Sequence, residues 1–356
     1  MKQAVIYFML LFQTNALCAD FFSPAQPLLS ASIIENQKLG KIAFGSCFDQ
    51  RNQDTIFRII GEANPDIVLL LGDNVYPNSE AYDPYLRSLR EAYWQLANSH
   101  EFGKLREKIP IMSIWDDHDY GLDDAGGDWP LKKNSERLFE YIWIPKNDER
   151  RSRDGIYFSR TVGPRDARVQ LIFLDTRFFR SPLLRANSNS TEKYQQDYSM
   201  QKTMLGRAQW SWLQKVLQES AKIRLIVSSI QVIADGHGWE AWRTLPNERE
   251  RLFKLLDKSE AKNIFILSGD RHLGAIYHRE DATINPLWEI TSSSLNKPLT
   301  GLVAVREDEP GPFRLGDNYY GANFGIIHFD WLSLEVNLSI HNSEGKAVRQ
   351  TIVKLR

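Results

Sequence analysis

Residues 67–76 read IVLLLGDNVY, an apolar run that ends in Gly72, Asp73 and Tyr76. An uninterrupted apolar run of this length predicts a strand that is buried on both faces. Three other apolar runs end in a comparable cluster of polar side chains: Gly45-Ser46-Cys47, Trp115-Asp116-Asp117-His118-Asp119 and Ser268-Gly269-Asp270-Arg271-His272. Because the carboxyl ends of the strands form the ligand-binding crevice of an open α/β sheet, we expect all four clusters to converge.

From residue 38 onwards, apolar runs of strand length alternate with amphipathic helical patterns, which is typical of βα units that build a mainly parallel sheet. The predicted strands are residues 41–44, 67–71, 111–114, 155–162, 169–174, 225–229 and 264–267. The predicted helices are residues 54–62, 84–96, 208–220 and 248–256. The later strands follow one another without long helices and predict an antiparallel closing portion: 287–291, 324–329, 332–340 and 347–353. The pattern as a whole predicts the α/β class.

The first residues have the pattern of an export signal. Lys2 precedes an apolar run over residues 4–12, and small residues lead up to Asp20, which predicts a secretory signal peptide over residues 1–19. A membrane anchor is the alternative, but the run is too short to span a bilayer comfortably. We therefore expect a protein exported to the periplasm, the extracellular space or the secretory pathway, with no membrane span after cleavage. Residues 20–37 lack a clear period and predict a lead-in segment before one domain over residues 38–356.

The composition argues against one class of partner and leaves one cysteine to explain. Lys and Arg (44) nearly cancel Asp and Glu (45), and no basic stripe of the kind expected of a nonspecific nucleic-acid binder is present. Any affinity for phosphate must therefore be local. The chain has two cysteines, and cleavage of the signal removes Cys18. Cys47 then has no partner for an intramolecular disulfide, which leaves a buried thiol, a redox-sensitive thiol or a metal ligand.

The polar clusters combine several kinds of metal donor. Carboxylates that lie close together repel one another unless protons or cations compensate, and a pair of cations resolves this conflict. The set mixes hard oxygens with an imidazole and a thiolate, which indicates one transition-metal position beside one oxygen-rich position. The candidate donors are Cys47, Asp73, Tyr76, Asp117, Asp270 and His272.

Together with Leu174-Asp175-Thr176-Arg177, the four clusters resemble the alkaline phosphatase D (PhoD-like) branch of the calcineurin-like metallophosphoesterases. Their order and approximate spacing match from residue 40 to residue 295, which is most of the chain after the predicted signal. The resemblance implies a four-layer α/β/β/α sandwich, in which two β-sheets are flanked by helices and a bimetal centre lies at one edge.

The resemblance also implies a role for each candidate residue. Cys47, Tyr76 and His272 hold an Fe(3+) ion, and Asp73 bridges to a second ion. Asp117 and Asp270 help to hold that second ion, which is Ca(2+) or another divalent metal. His118 faces the substrate phosphate, and Arg271 is a candidate to hold a nonbridging phosphate oxygen. These roles come from the family and not from the spacing of the residues.

The function that follows is hydrolysis of phosphomonoesters, phosphodiesters or both by a bimetal-activated hydroxide, on a small or polymeric phosphate ester. His118 is a candidate to protonate the leaving oxygen or to stabilise the transition state. One alternative is a catalytically silent metal-binding or cell-surface binding module on the same fold. Another is a hydrolase that uses Cys47 as a nucleophile with His118 or His272. Asp49 is either a further ligand or an acceptor behind the ligands. Asp175 and Arg177 form either a structural ion pair, which we prefer, or a direct contact with the substrate.

Overall fold

Two six-stranded sheets form the centre of the protein in the computed structural model, which describes residues 25–259, 262–301 and 311–356. The signal predicted over residues 1–19, and with it the basis for expecting export, lies outside the described residues. The lead-in segment is described only from residue 25.

The first sheet has the strand order β12-β11-β10-β1-β2-β3. Its parallel half consists of β1 (Lys41–Gly45), β2 (Ile67–Leu70) and β3 (Ile111–Ser113). The other half is an antiparallel meander of β10 (Asn323–Asp330), β11 (Glu335–Asn342) and β12 (Ala347–Lys354), which joins the sheet beside β1. The polar clusters after β1, β2 and β3 therefore emerge at one edge.

The second sheet has the order β4-β5-β6-β7-β9-β8. Its parallel centre is β5 (Val169–Leu174), β6 (Ile223–Ser228), β7 (Ile264–Ser268) and β9 (Leu287–Ser292). The outer strands β4 (Phe158–Val162) and β8 (Gly274–Arg279) are antiparallel to their neighbours. This topology places the fourth polar cluster, between β7 and β8, at the carboxyl end of a central strand.

Helices cover the sheets and complete two apolar cores. The described helices are α1 (Thr55–Glu62), α2 (Arg87–Ala97), α3 (His100–Lys108), α4 (Asp117–Tyr120), α5 (Lys132–Trp143), α6 (Gly206–Val216) and α7 (Pro246–Lys258). Side chains alternate across a strand, so Leu171 and Phe173 of β5 join the core shared by both sheets, whereas Ile172 and Leu174 join the core under α6 and α7. The predicted α/β class with two sheets and flanking helices is confirmed.

Differences from the predicted elements have local causes. β9 is parallel to β7 and does not belong to an antiparallel closing portion, whereas β10, β11 and β12 do form one. β11 begins at Glu335 and not at residue 332. The chain turns there because Asp330 Oδ1 accepts the N–H groups of Leu332 and Ser333, and Leu334 has a positive φ of 54°. Helices α3, α4 and α5 and strand β8 were not predicted.

The described part of the lead-in segment runs along the edges of both sheets. Residues 28–35, called the edge strap below, contain neither helix nor strand, but their backbone is anchored. Ser30 Oγ accepts the N–H of Ile111 at the start of β3 (3.0 Å), and the Glu35 carbonyl accepts the N–H of Gly163 just after β4 (2.7 Å). Because β3 and β4 are edge strands, the strap covers backbone that a sheet edge leaves unpaired.

Among the described residues, no helix combines the length and apolarity needed to cross a bilayer.

Candidate metal centre

The loops after β1, β2, β3 and β7 converge on one edge of the molecule, where the two sheets are joined. The N–H of Ser46 donates to the Ser292 carbonyl (3.1 Å), and the N–H of Leu295 donates to the Ser46 carbonyl (2.8 Å). The approach is so close that a Cβ on Gly269 would lie 2.4 Å from Ser46 Oγ, and one on Gly72 would lie 2.6 Å from the Asp116 Cβ. Glycine at position 269 lets the loops of the two sheets meet, and glycine at position 72 lets the β2 and β3 loops of the first sheet meet.

Four of the converging residues have left-handed backbone conformations. The φ angles are 59° at Cys47, 49° at Asp73, 69° at Asp270 and 54° at His272. Residues other than glycine adopt this region at a cost, and such residues cluster at functional sites, where the surrounding structure holds them. The loops are therefore shaped to aim these four side chains at a common point.

Cys47, Asp73, Tyr76 and His272 form one group. A donor atom from each of Cys47, Asp73 and His272 lies within 4.8 Å of the others. The Tyr76 hydroxyl donates to Asp73 Oδ2 at 2.7 Å and lies 3.4 Å from His272 Nε2. The structure thus brings together the four residues that the family resemblance assigns to the iron position and its bridge, although their role as ligands stays a prediction.

His272 presents a nitrogen without a proton to this group. Its Nδ1 contacts the Lys297 carbonyl, which can only accept, so Nδ1 carries the hydrogen and Nε2 has a free lone pair. Burial lowers the pKa of His272 to about 4, with the charge of Lys297 adding to the effect. A neutral imidazole held through its other nitrogen is the usual form of a metal-binding histidine.

A second group consists of carboxylates. Donor oxygens of Asp116, Asp117 and Asp270 lie within 4.8 Å of one another, and those of Asp73 and Asp117 are equally close to a ring nitrogen of His118. Asp73 therefore belongs both to this neighbourhood and to the group around Cys47, which is the position expected of a bridging ligand. Asp117 is oriented by the N–H groups of His118 (2.9 Å) and Asp124 (2.7 Å).

The charges at the site favour bound cations. Burial raises the pKa of the Cys47 thiol and of the Tyr76 hydroxyl, and the negative charge of Asp73 raises both further. Burial and repulsion from Asp117 likewise raise the pKa of Asp270. Positive charge at the centre reverses these effects and allows the donors to ionise. The thiolate, phenolate and imidazole suit a transition metal, and the carboxylates beside them suit an oxygen-seeking cation, so the residues present fit a bimetal centre.

A neighbouring acidic group has its own counter-charge. Asp123 and Asp124 also bring oxygens within 4.8 Å of Asp117. Lys193 Nζ, however, lies 2.9 Å from Asp123 Oδ2 and also contacts Asp124. Because this lysine compensates the two carboxylates, the cluster does not require a cation in the way that the buried centre does.

His118 lies beside the centre with a partner that the sequence did not predict. Its side chain is 20% exposed, and Nδ1 is 2.9 Å from Oε1 of Glu80. Burial alone lowers the pKa of His118, but the carboxylates of Asp117, Asp73 and Glu80 outweigh burial and raise it to about 10. The imidazole is therefore positively charged in this arrangement. Arg271, between Asp270 and His272, is buried with 6% of its surface exposed, and its guanidinium lies 5.9 Å from the centre of the Trp239 ring.

Arg177 has different partners from the one predicted. Its guanidinium pairs with Asp116 (2.5 Å) and Glu240 (2.6 Å), and all three side chains are buried. The Asp175 carboxylate instead accepts the Trp115 indole N–H (2.8 Å) and the backbone N–H of Arg177 (3.0 Å). The predicted ion pair between Asp175 and Arg177 is therefore wrong. Arg177 is a fixed cation behind the carboxylate group.

Two further carboxylates, those of Asp119 and Asp49, support the candidate ligands. The Asp119 carboxylate accepts the N–H groups of Asn74 and Asp116 and the hydroxyl of Tyr93, so it ties the β2 loop to the β3 loop. The Asp49 carboxylate is paired with Arg51 at 2.6 Å, which favours the reading of Asp49 as an acceptor behind the ligands. Tyr93 and Arg51 lie outside the polar clusters that follow the strands, whereas Asn74, Asp116 and Asp119 lie within them.

Comparison with known proteins gives a family and a fold. A family model described as PhoD-like phosphatase matches residues 42–312. A solved structure titled "Structure of PhoD" superposes with a TM-score of 0.70 at 17% identity, covering 92% of this chain and 70% of that chain. A second solved structure, that of TT1561 of Thermus thermophilus, has a TM-score of only 0.35 at 10% identity, covering 89% of this chain and 100% of that chain. No curated protein matches the sequence.

Proposed function

The chain belongs to the PhoD-like phosphatase family, and from this premise we propose that it hydrolyses phosphomonoesters, phosphodiesters or both at a bimetal centre. The observation that carries the proposal is the position of Asp73, which lies within 4.8 Å of donor atoms from both groups of candidate ligands. A carboxylate shared in this way is suited to bridge two ions.

The donor chemistry supports different ions at the two positions. We assign Fe(3+) to Cys47, Asp73, Tyr76 and His272, because thiolate, phenolate and imidazole favour a transition metal. We assign Ca(2+) or another divalent cation to the carboxylates Asp73, Asp117 and Asp270. When bound, the pair supplies a hydroxide nucleophile at neutral pH and positive charge for the phosphoryl oxygens.

The chain's own groups complete the proposed mechanism. His118 donates a proton to the leaving oxygen, since it lies at the carboxylate side of the centre and is partly exposed to an incoming substrate. Arg271 holds a nonbridging phosphate oxygen through its planar donors. We also propose that the protein is exported, on the pattern of its first residues alone.

The structure bears differently on the two alternative functions, a Cys47-dependent hydrolase and a catalytically silent binding module. A thiol nucleophile at Cys47 is disfavoured because the thiol is fully buried and burial raises its pKa, whereas reactive thiols are accessible and ionise readily. A silent binding module is distinguished only by measurement, because it would hold the same ions without turnover.

Metal analysis and hydrolysis assays test the proposal together. The purified protein is analysed by plasma mass spectrometry and assayed with an aryl phosphomonoester and an aryl phosphodiester, before and after chelation. Asp73→Asn is expected to lose bound metal and at least about 100-fold in turnover. Asp166→Asn, which alters an exposed aspartate in the turn between β4 and β5, is the matched control and is expected to keep both. Bound metal without turnover on either ester would favour the binding module.

A further inference from the structure

We propose that Glu80 is a positioning residue that acts on the reaction through His118. The inference rests on the proposed function, in which His118 is the proton donor, and assigns a second residue to that step. Glu80 lies in the loop between β2 and α2, outside the clusters that the sequence singles out.

The Glu80 carboxylate is held at both oxygens. Oε1 lies 2.9 Å from His118 Nδ1, and Oε2 accepts the backbone N–H of Asp123 at 3.1 Å. The side chains of Glu80 and His118 are 29% and 20% exposed, so the pair lies at the rim of the centre and is not free in solvent. A carboxylate anchored by a backbone donor keeps its other oxygen in place for the imidazole.

The imidazole is fixed from other directions as well. Its ring packs against the Tyr76 ring with centroids 4.3 Å apart, and the backbone N–H of His118 donates to Asp117 Oδ1 at 2.9 Å. A charged imidazole carries a hydrogen on both nitrogens, and the Glu80 carboxylate pairs with the Nδ1 side of the ring at 2.9 Å. This ion pair fixes the orientation of the ring and leaves the Nε2–H for the leaving oxygen.

Loss of Glu80 therefore affects one step selectively. An alkyl alcohol is a poor leaving group that needs a proton as the P–O bond breaks, whereas a nitrophenolate leaves without one. We expect Glu80→Ala to lower kcat for an alkyl phosphate ester by about 10-fold to 100-fold, the usual effect of removing the partner of an active-site histidine. KM and the turnover of 4-nitrophenyl phosphate are expected to stay near wild type.

The test is a double-mutant cycle with two substrates. Glu80→Ala, Glu80→Gln, His118→Ala and the double variant are assayed on an alkyl phosphate and on 4-nitrophenyl phosphate, and metal content and thermal unfolding are measured for each. Glu80→Gln is expected to recover part of the loss, because its amide oxygen can still accept from Nδ1. Glu80→Ala is expected to add no further loss in the His118→Ala background. Glu62→Ala, at an exposed residue of α1, is the control and should match wild type.

The outcomes separate this inference from the proposed function. Equal losses on both substrates, additive losses in the double variant, or loss of metal from Glu80→Gln would each overturn the role of Glu80 while leaving a working wild-type phosphatase. A wild-type protein that hydrolyses neither ester would instead overturn the proposed function itself.

Discussion

Asp270 carries a carboxylate on a residue whose backbone φ is 69°, a conformation that glycine adopts at little cost and other residues adopt with strain. Its carboxylate also lies close to those of Asp116 and Asp117. Both features oppose folding in the absence of a cation, and both serve the site when one is bound. Strain of this kind is expected where function determines the residue.

Substitution of Asp270 separates the two costs. Asp270→Gly removes the strain and the repulsion, whereas Asp270→Ala removes only the repulsion, so the glycine variant is expected to be more stable by about 1 kcal/mol in metal-free protein. Both variants are expected to lose metal and turnover. Thermal unfolding of the chelated proteins measures the difference. A glycine variant less stable than the alanine variant would contradict a strained backbone at this position.

The short helix α4 shows how one element sets the geometry of several site residues. It spans only Asp117–Tyr120 and ends at Gly121, whose φ is 106°. Its first turn is closed by a capping box, in which Asp116 and Asp119 each accept a backbone N–H of the other. Asp117 and His118 lie inside this turn, so their positions depend on the contacts of Asp119.

Tyr93 is the contact of Asp119 that is easiest to remove. Its hydroxyl on α2 donates to Asp119 Oδ1 at 2.7 Å and is fully buried. Tyr93→Phe removes the donor without changing the ring, and we expect a loss of about 1–3 kcal/mol in the free energy of unfolding because the donor bonds a buried charged group. Denaturant unfolding measures the loss, and Tyr141→Phe, at a tyrosine 46% exposed on α5, is the control. Equal stability of the two variants would contradict the structural role of the Asp119 contacts.

The elements that could be predicted from the sequence are those with a strong local signal. β2 is a continuous apolar run, β5 is apolar except for Gln170, both are buried along their whole length, and both were predicted within one residue. α3 was missed because it buries only Phe102 and Leu105 and contains Gly103, which weakens a helical pattern. The edge strap has no period, because most of its backbone hydrogen bonds run to the sheets and to neighbouring helices.

The residues of the candidate site likewise divide into those that could be predicted from the sequence and those that could not. Residues in short motifs after strands could be predicted, because each motif can be recognised from a few consecutive residues. Glu80, Lys297 and Glu240 could not, because each acts through a partner brought near only by the fold. Arg177 was singled out, but its partner was chosen from the same motif, and the guanidinium instead reaches Asp116 and Glu240.

At the scale of the whole molecule, the site is shared between the two sheets. The first sheet supplies Cys47, Asp73 and Asp117 through the loops after β1, β2 and β3, and the second supplies Asp270 and His272 through the loop after β7. Cations bound by both sets of ligands would hold the two sheets together at this edge. The edge strap is a second link between the sheets, because it bonds to Ile111 of β3 and to Gly163 just after β4 without any of these ligands.

Metal removal should therefore loosen the molecule unevenly. An ion that binds only the folded state stabilises it by about 4 kcal/mol at 1,000 times its dissociation constant, so chelation is expected to lower the unfolding temperature. Hydrogen exchange locates the change. The amides of Ser46, Phe48 and Leu295, which bond between loops at the centre, are expected to exchange faster, while that of Gly163, bonded to the edge strap, keeps its protection. A uniform rise in exchange at all four amides would show that the ions stabilise the fold as a whole and do not join the sheets at one edge.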